Sequence, residues 1–422
     1  MLKSRIALAA GLLFGAAVAV PAQAAVVLLG VGSIPGNATD QSGLSGLLED
    51  GVTPKNQVGG FGSAITYSGK NNRFLATPDR GPADGTTSYI DRLYKIDLKL
   101  KSTGPYGPNS YTVTPTLSGT SLLSNKSGEQ YTGYNLEFDA TGSTDSLRLD
   151  PEGIRADHCG DSVYVSDEYG PYLYQFKLNG QQTGKPVKLP AKLGIDLPSS
   201  DPAAELANNA FGRQANRGME GLAISPDGSK LFGLMQNALI QDGALDPALK
   251  RVATNSRLIE INQSSGEIKE YYYPLETKDY GLNEILAVND HQFLVIERDG
   301  KAGASAAFKK LYLIDIAGAT DIRGIKSLPA TGVPSGVTPV SKTLFLDLLD
   351  PAYGLAGASF PEKIEGLAFG PDLKGGQHTL IVTNDNDFVT ANPSNFYVFG
   401  IDAADLPGYQ PQQFGSCDTT LE

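Results

Sequence analysis

Four short segments set an acidic residue at the head of an apolar run: Asp150-Pro151-Glu152-Gly153-Ile154, Gly218-Met219-Glu220-Gly221-Leu222, Leu282-Asn283-Glu284-Ile285-Leu286 and Lys363-Ile364-Glu365-Gly366-Leu367. A second apolar run follows each and ends in a polar cluster: Ser166-Asp167-Glu168, Met235-Gln236-Asn237, Ile296-Glu297-Arg298-Asp299 and Thr383-Asn384-Asp385. Carboxylates brought together repel, and several would be driven toward the protonated form unless a divalent cation removed the cost. Oxygen donors without a nearby cysteine or histidine favour calcium or magnesium over zinc. Basic residues attend the same places, with Arg80 after Asp79, Arg217 three before Glu220, Arg298 after Glu297 and Lys363 two before Glu365. Around a cation, guanidinium forks would make a receptor for phosphate or carboxylate, although each base taken alone could serve as a salt-bridge partner for the adjacent acid.

Residues repeated in this way need a repeated scaffold. The glutamates lie 68, 64 and 81 residues apart, and short strands recurring at such intervals are the pattern of a radial β-array. From Glu220 onward each unit reads as four antiparallel strands, with Pro226-Asp227-Gly228 supplying turn chemistry between the first two. An earlier unit runs from Ser63 to Leu117 and has no glutamate on its inner strand. The last unit ends one strand short, and Val26–Gly32 would fill the gap, closing the ring and removing its open edges. The expected fold is therefore an all-β single propeller of five four-stranded blades, with Ser118–Leu149 leaving room for a sixth. The start of an innermost strand and the end of the second lie at the same end of a blade. That places the glutamates at one channel mouth with Asp79, Asp167, Glu168, Glu297, Asn384 and Asp385. His158, His291 and His378 precede second strands and fall at the other end, so they are poor candidates for a base at this mouth. Two insertions, Ala191–Arg217 and Gly318–Ser341, read as loops over one face.

Residues 1–24 have the makings of a signal peptide: Lys3 and Arg5, an apolar core from Ile6 to Val20, then Ala22-Gln23-Ala24, with cleavage expected before Ala25. This leaves residues 25–422 as one domain, periplasmic or secreted. No later run approaches the length of a spanning helix. The chain carries a formal charge of -12, which the loss of Lys3 and Arg5 makes more negative, so nucleic acid is not an expected partner. The 49 glycines and 26 prolines suit a turn-rich β chain. The two cysteines, Cys159 and Cys417, could form one disulfide in an oxidising compartment or stay independent thiols. No Gly-x-Ser-x-Gly elbow, Arg-His-Gly segment or phosphate-binding loop of the Walker type occurs, which disfavours serine–histidine and phosphohistidine chemistry.

Thr77-Pro78-Asp79-Arg80-Gly81-Pro82, Ser166-Asp167-Glu168-Tyr169-Gly170-Pro171, Asn216-Arg217-Gly218-Met219-Glu220-Gly221-Leu222-Ala223 and the other glutamate segments resemble the phytase-like family, the group described as "esterase-like activity of phytase". The likeness covers about residues 60 to 400. It implies an exported propeller and hydrolysis of a phosphoester or ester substrate. By further similarity to calcium-dependent propeller phytases and propeller lactonases, it implies a calcium ion held by Glu152, Glu220, Glu284, Glu365 and Asp385. Glu168 or Glu297 would then orient a water, and Arg80, Arg217 and Arg298 would hold a small anionic or ester substrate. A binding propeller in which calcium is structural, and a metal-dependent lactonase, are the alternatives.

Overall fold

The computed structural model describes residues 26–141 and 146–415. Its strands follow the chain as β1 (Val26–Ile34); β2 (Ala64–Tyr67), β3 (Arg73–Thr77), β4 (Arg92–Ser102) and β5 (Tyr111–Leu122); β6 (Pro151–Ala156), β7 (Ser162–Asp167), β8 (Tyr172–Lys177) and β9 (Val187–Lys188); β10 (Met219–Ile224), β11 (Lys230–Met235), β12 (Asn255–Asn262) and β13 (Ile268–Pro274); β14 (Gly281–Ala287), β15 (Gln292–Arg298), β16 (Lys309–Asp315) and β17 (Ser341–Asp347); and β18 (Lys363–Gly370), β19 (His378–Asp385) and β20 (Ser394–Ile401). They form five antiparallel four-stranded sheets. In the fifth, β1 pairs with β20 from Val26–Ile401 to Ile34–Ser394, so the first described strand closes the ring. Among the described residues there is no sixth blade. The strand candidate Tyr134–Phe138 is instead a single 3₁₀ turn, and the segment around it is tied down by isolated bridges such as Thr132–Arg148.

Alternating apolar residues on both faces of each sheet put the core between blades rather than within one. Each of the five interfaces has its own cluster, as where Leu294 and Ile296 of the fourth blade meet Leu380 and Val382 of the fifth, or Leu75 and Leu93 of the first meet Val163 and Tyr174 of the second. Around the axis the inner strands come so close that a Cβ on Gly153 would lie 2.6 Å from the Leu222 Cβ, and one on Gly221 would lie 2.9 Å from the Ile285 nitrogen. Glycine there is a packing requirement between neighbouring blades.

The channel is blocked at mid-depth. Arg155, 2% exposed, reaches from the second blade to donate to the carbonyls of Ile65 (3.0 Å) and Ile285 (2.6 Å), and pairs with Glu284, 0% exposed, at 3.0 Å. Below this pair the segment from Tyr409 to Gly415 crosses the far mouth and touches every blade. Its amides at Gln410, Gln413 and Gly415 donate to the carbonyls of Val288, Pro226 and His158, while Phe414 packs on Tyr67 and Tyr409 on Phe369. All three histidines lie at this end. His158 is bonded to the tail, His378 packs against Tyr409 with the rings tilted, and His291 pairs with Asp315 beside Asn289, which donates to Gly408. Cys417, and with it the Cys159–Cys417 pairing, lies outside the described residues, as does the leader 1–24.

The insertions differ from each other. Ala191–Arg217 carries the short helix α1 (Pro202–Asn208), capped by Asp201, and delivers Asn216 and Arg217 to the glutamate mouth. Gly318–Ser341 does not overhang that mouth. It runs along the outer edge of the third blade, where Ile322 and Val340 donate to the carbonyls of Glu270 and Tyr272 and cover an edge that would otherwise be open. Among the described residues no helix is long and apolar enough to cross a membrane.

Candidate functional site at the channel mouth

Four inner strands carry a β-bulge at the same place. Pro151 pairs with Asp167, Met219 with Met235, Leu282 with Glu297 and Ile364 with Asn384, and regular pairing resumes at Ile154, Gly221, Ile285 and Gly366. A bulge leaves its extra residue outside the ladder and re-aims its side chain. The residue after each opening pair is Glu152, Glu220, Asn283 or Glu365, and all four line one cavity of about 210 Å³ at the mouth. Alternation along the second strands does the rest. Glu168, Gln236 and Arg298, each one past the opening pair, face the cavity, as do Asp79 and Arg80 from the loop after β3. Asp385, the fifth blade's counterpart, accepts from Lys363 on the cavity wall at 3.0 Å.

The ring is knit by amides and bases. Glu220 Oε1 accepts from Gln236 Nε2 and Asn283 Nδ2, each at 2.7 Å, while its Oε2 is buried with no donor among the described residues. Asn283 Nδ2 also lies 3.3 Å from Glu365 Oε1, which takes a 2.5 Å bond from Arg298. Across the mouth, ligand oxygens of Asp150, Glu152 and Glu168 converge within 4.8 Å of one another, and all three residues are buried. The Gly218 amide donates to Glu168 Oε1 at 3.1 Å, and Arg80 is 2.7 Å from Asp150 and 3.7 Å from Glu168 Oε2. A second acidic group, Asp79, Asp385 and Asp387, already surrounds a cation, the Lys363 ammonium.

Burial and mutual repulsion hold protons on these acids. Burial first, then the Glu220 charge, pushes Glu152 well above the carboxylate range, and burial and Glu168 do the same to Glu220. Glu168 is pushed up to about 7 by burial and Asp150, against the pull of Arg80. The set is oxygen-only, deficient in positive charge and holds an unbonded buried carboxylate oxygen, so it fits a hard divalent cation.

A raised folded pKa means that the folded chain binds protons the unfolded chain has released. The Glu168 contribution to stability is therefore full below about 4.5 and is lost as pH rises through about 7, on the order of 3 kcal/mol. In chelator, the melting temperature is expected to fall between pH 5 and 8, and millimolar calcium is expected to flatten that fall. Calorimetry with and without EDTA checks both.

Of the acids read as metal ligands from the sequence, the structure brings Glu152, Glu220 and Glu365 to the cavity, and Asp385 to its edge. Glu284 does not join them. It stands where the other blades have glycine, one residue past the bulge position that Asn283 fills, and its carboxylate turns down the axis to Arg155 and the amides of Leu222 and Ile285. Glu297 is also out of phase. It pairs with Leu282 and faces the third blade, accepting from Lys342 (2.6 Å), the Glu276 amide (2.7 Å) and the Tyr273 hydroxyl (3.2 Å). Arg80 and Arg298 reach the mouth but are engaged by Asp150 and Glu365; Arg217 reaches it, and among the described residues its guanidinium bonds Gln236 and Asn237. Asp150, Asn283 and Arg251 were not read as site residues. Aligning the apolar positions rather than the glutamates would have found Asn283.

The chain has similarity to several known proteins. An "Uncharacterized secreted protein" of Arthroderma benhamiae is 28% identical over 463 residues, covering 86% of this chain and 87% of that one. Among solved structures, the pyranose dehydrogenase PQQ domain of Coprinopsis cinerea (12% identity, 89% of this chain and 95% of that one, TM-score 0.34) and the hydrazine synthase of Kuenenia stuttgartiensis (12%, 83% and 80%, TM-score 0.33) are distant likenesses. The phytase-like family model, described as esterase-like activity of phytase, matches residues 56–388, which hold all five glutamate-bearing or equivalent inner strands; the chain belongs to the phytase-like family.

Proposed function

We propose that the chain is an exported, divalent cation-dependent hydrolase of phosphoester or ester bonds, acting at the glutamate mouth. The observation that carries this reading is the buried convergence of Asp150, Glu152 and Glu168 beside Glu220, whose Oε2 has no nitrogen donor among the described residues. Asp150, Glu152 and Glu220 would hold the cation, calcium by the hardness and number of the oxygens. When bound it supplies a positive charge against a phosphoryl or carbonyl oxygen and lowers the pKa of a water. Glu168 is fixed by the Gly218 amide through one oxygen and faces the cluster with the other. That second oxygen, Oε2, is placed to accept the proton of an attacking water. Asn283 and Gln236 hold Glu220 Oε1, so that its second oxygen stays directed at the cluster. The secreted relative and the leader-like residues 1–24 support export.

Elemental analysis of the native protein is expected to find calcium. A panel of phosphomonoesters, phosphodiesters, carboxylate esters and lactones is expected to show turnover of a phosphoester or ester that EDTA abolishes and calcium restores. Turnover of lactones alone would make the chain a lactonase. Silence across the panel, with a calcium-raised melting temperature, would make it a binding propeller.

A further inference from the structure

Four guanidinium groups face the mouth, and they divide into two kinds. Arg80 and Arg298 are spent on Asp150 and Glu365. Arg217 and Arg251 form no ion pair with any described residue, although both line the cavity. They are held together by neutral amides: Asn237 Oδ1 accepts from Arg217 Nη1 at 2.9 Å and from Arg251 Nη1 at 3.5 Å, and Gln236 Oε1 takes a further bond from Arg217 at 2.7 Å. Asn237 is itself 3% exposed and anchored through Nδ2 to the Tyr280 carbonyl at 2.9 Å. Asp279, the acid whose charge bears on Arg251, is largely exposed and paired with Lys278 at 2.8 Å. Two like charges thus share a single buried amide oxygen, on the wall facing the acidic cluster. Burial first, then the Arg251 charge, pulls Arg217 down to about 10, against the opposing pull of Glu168 and Glu220.

We propose that Arg217 and Arg251, positioned by Asn237, are the receptor for the anionic end of the substrate, and that this end is a phosphate. Two planar forks held side by side on the cavity wall match the several oxygens and double charge of a phosphate monoester, whereas a lactone or a neutral ester offers no charge to compensate them. Gln236 bonds Arg217 on one side and Glu220 on the other, so the bound phosphate is set against the carboxylates that would hold the cation. The inference rests on the hydrolase reading of this mouth and selects its phosphoester half.

The test is titration calorimetry with inorganic phosphate, in EDTA and in calcium, on the wild-type chain and on Arg217→Gln, Arg251→Gln and Arg251→Lys, with calcium affinity and phosphomonoester turnover measured on the same preparations. Each glutamine variant is expected to weaken phosphate binding by roughly 10- to 100-fold, the range of one charge-assisted hydrogen bond, with calcium affinity unchanged and with Arg251→Lys partly restoring it. Arg251 is partly exposed and outside the blade-to-blade clusters, so its variants report on binding without disturbing the core. Arginine-dependent phosphate binding without turnover would overturn the hydrolase reading and keep the receptor. Calcium-dependent turnover with phosphate affinity unaltered in both glutamine variants, or binding of acetate as tight as phosphate, would overturn the receptor.

Discussion

Replacing Glu220 with glutamine is expected to abolish cation-dependent hydrolysis and to weaken calcium binding by roughly 100-fold or more, beyond the 10–100-fold that loss of an outer-shell partner costs. The substitution is close to isosteric. Its carbonyl oxygen can still accept from Gln236 and Asn283, so the amide web of the ring survives. What disappears is the negative charge on the oxygen that has no donor of its own. The same change removes one of the mutually repelling acids around Glu152, Glu168 and Glu365. In EDTA the variant should therefore melt higher than wild type, while in calcium the order should reverse. That crossing of the two melting curves separates a ligand from a merely structural acid. Unchanged calcium-dependent turnover in Glu220→Gln would remove the basis for the proposed mechanism.

Glu284→Ala should have the opposite signature. It strips the partner from a fully buried arginine, and breaking a buried pair in that way costs about 3–5 kcal/mol. The Leu222 and Ile285 amides lose their acceptor at the same time. Arg155 keeps its carbonyl acceptors at Ile65, Ile154 and Ile285, so the chain should still fold, with a lower midpoint in urea. Calcium affinity at the mouth should be unaltered, because Glu284 belongs to the plug beneath it. A loss of calcium binding with little change in the urea midpoint would return Glu284 to the ligand set.

The ring was readable from residue types because its signals are local and repeated. Turn residues such as Pro226-Asp227-Gly228 and short apolar runs mark each hairpin, and the last unit's missing strand points to Val26 onward. The end of the channel at which the histidines sit follows from strand direction alone. Side-chain phase was harder, because a bulge adds one residue and inverts the alternation on which such reading depends. In the second, third and fifth blades glutamate and bulge coincide, and Glu152, Glu220 and Glu365 were read in place. In the fourth the glutamate moved one position along, to the glycine's place, and repetition of letters hid the substitution by Asn283. The same one-residue step separates Glu297 from Arg298. Pairing is invisible for a further reason: nothing in the sequence tells an arginine committed to a neighbouring blade's carboxylate, as Arg80 is, from one left uncommitted, as Arg217 is.

The strap from Tyr409 to Gly415 and the Arg155–Glu284 pair above it make the ring a cup rather than a tube. A polymer cannot be threaded through it and worked along its length, so any large substrate must offer a protruding group or a chain end. Whatever leaves must also retrace the path by which it came. On the hydrolase reading proposed above, entry and exit compete for one opening, and a released anion lingering on that rim would slow the next arrival.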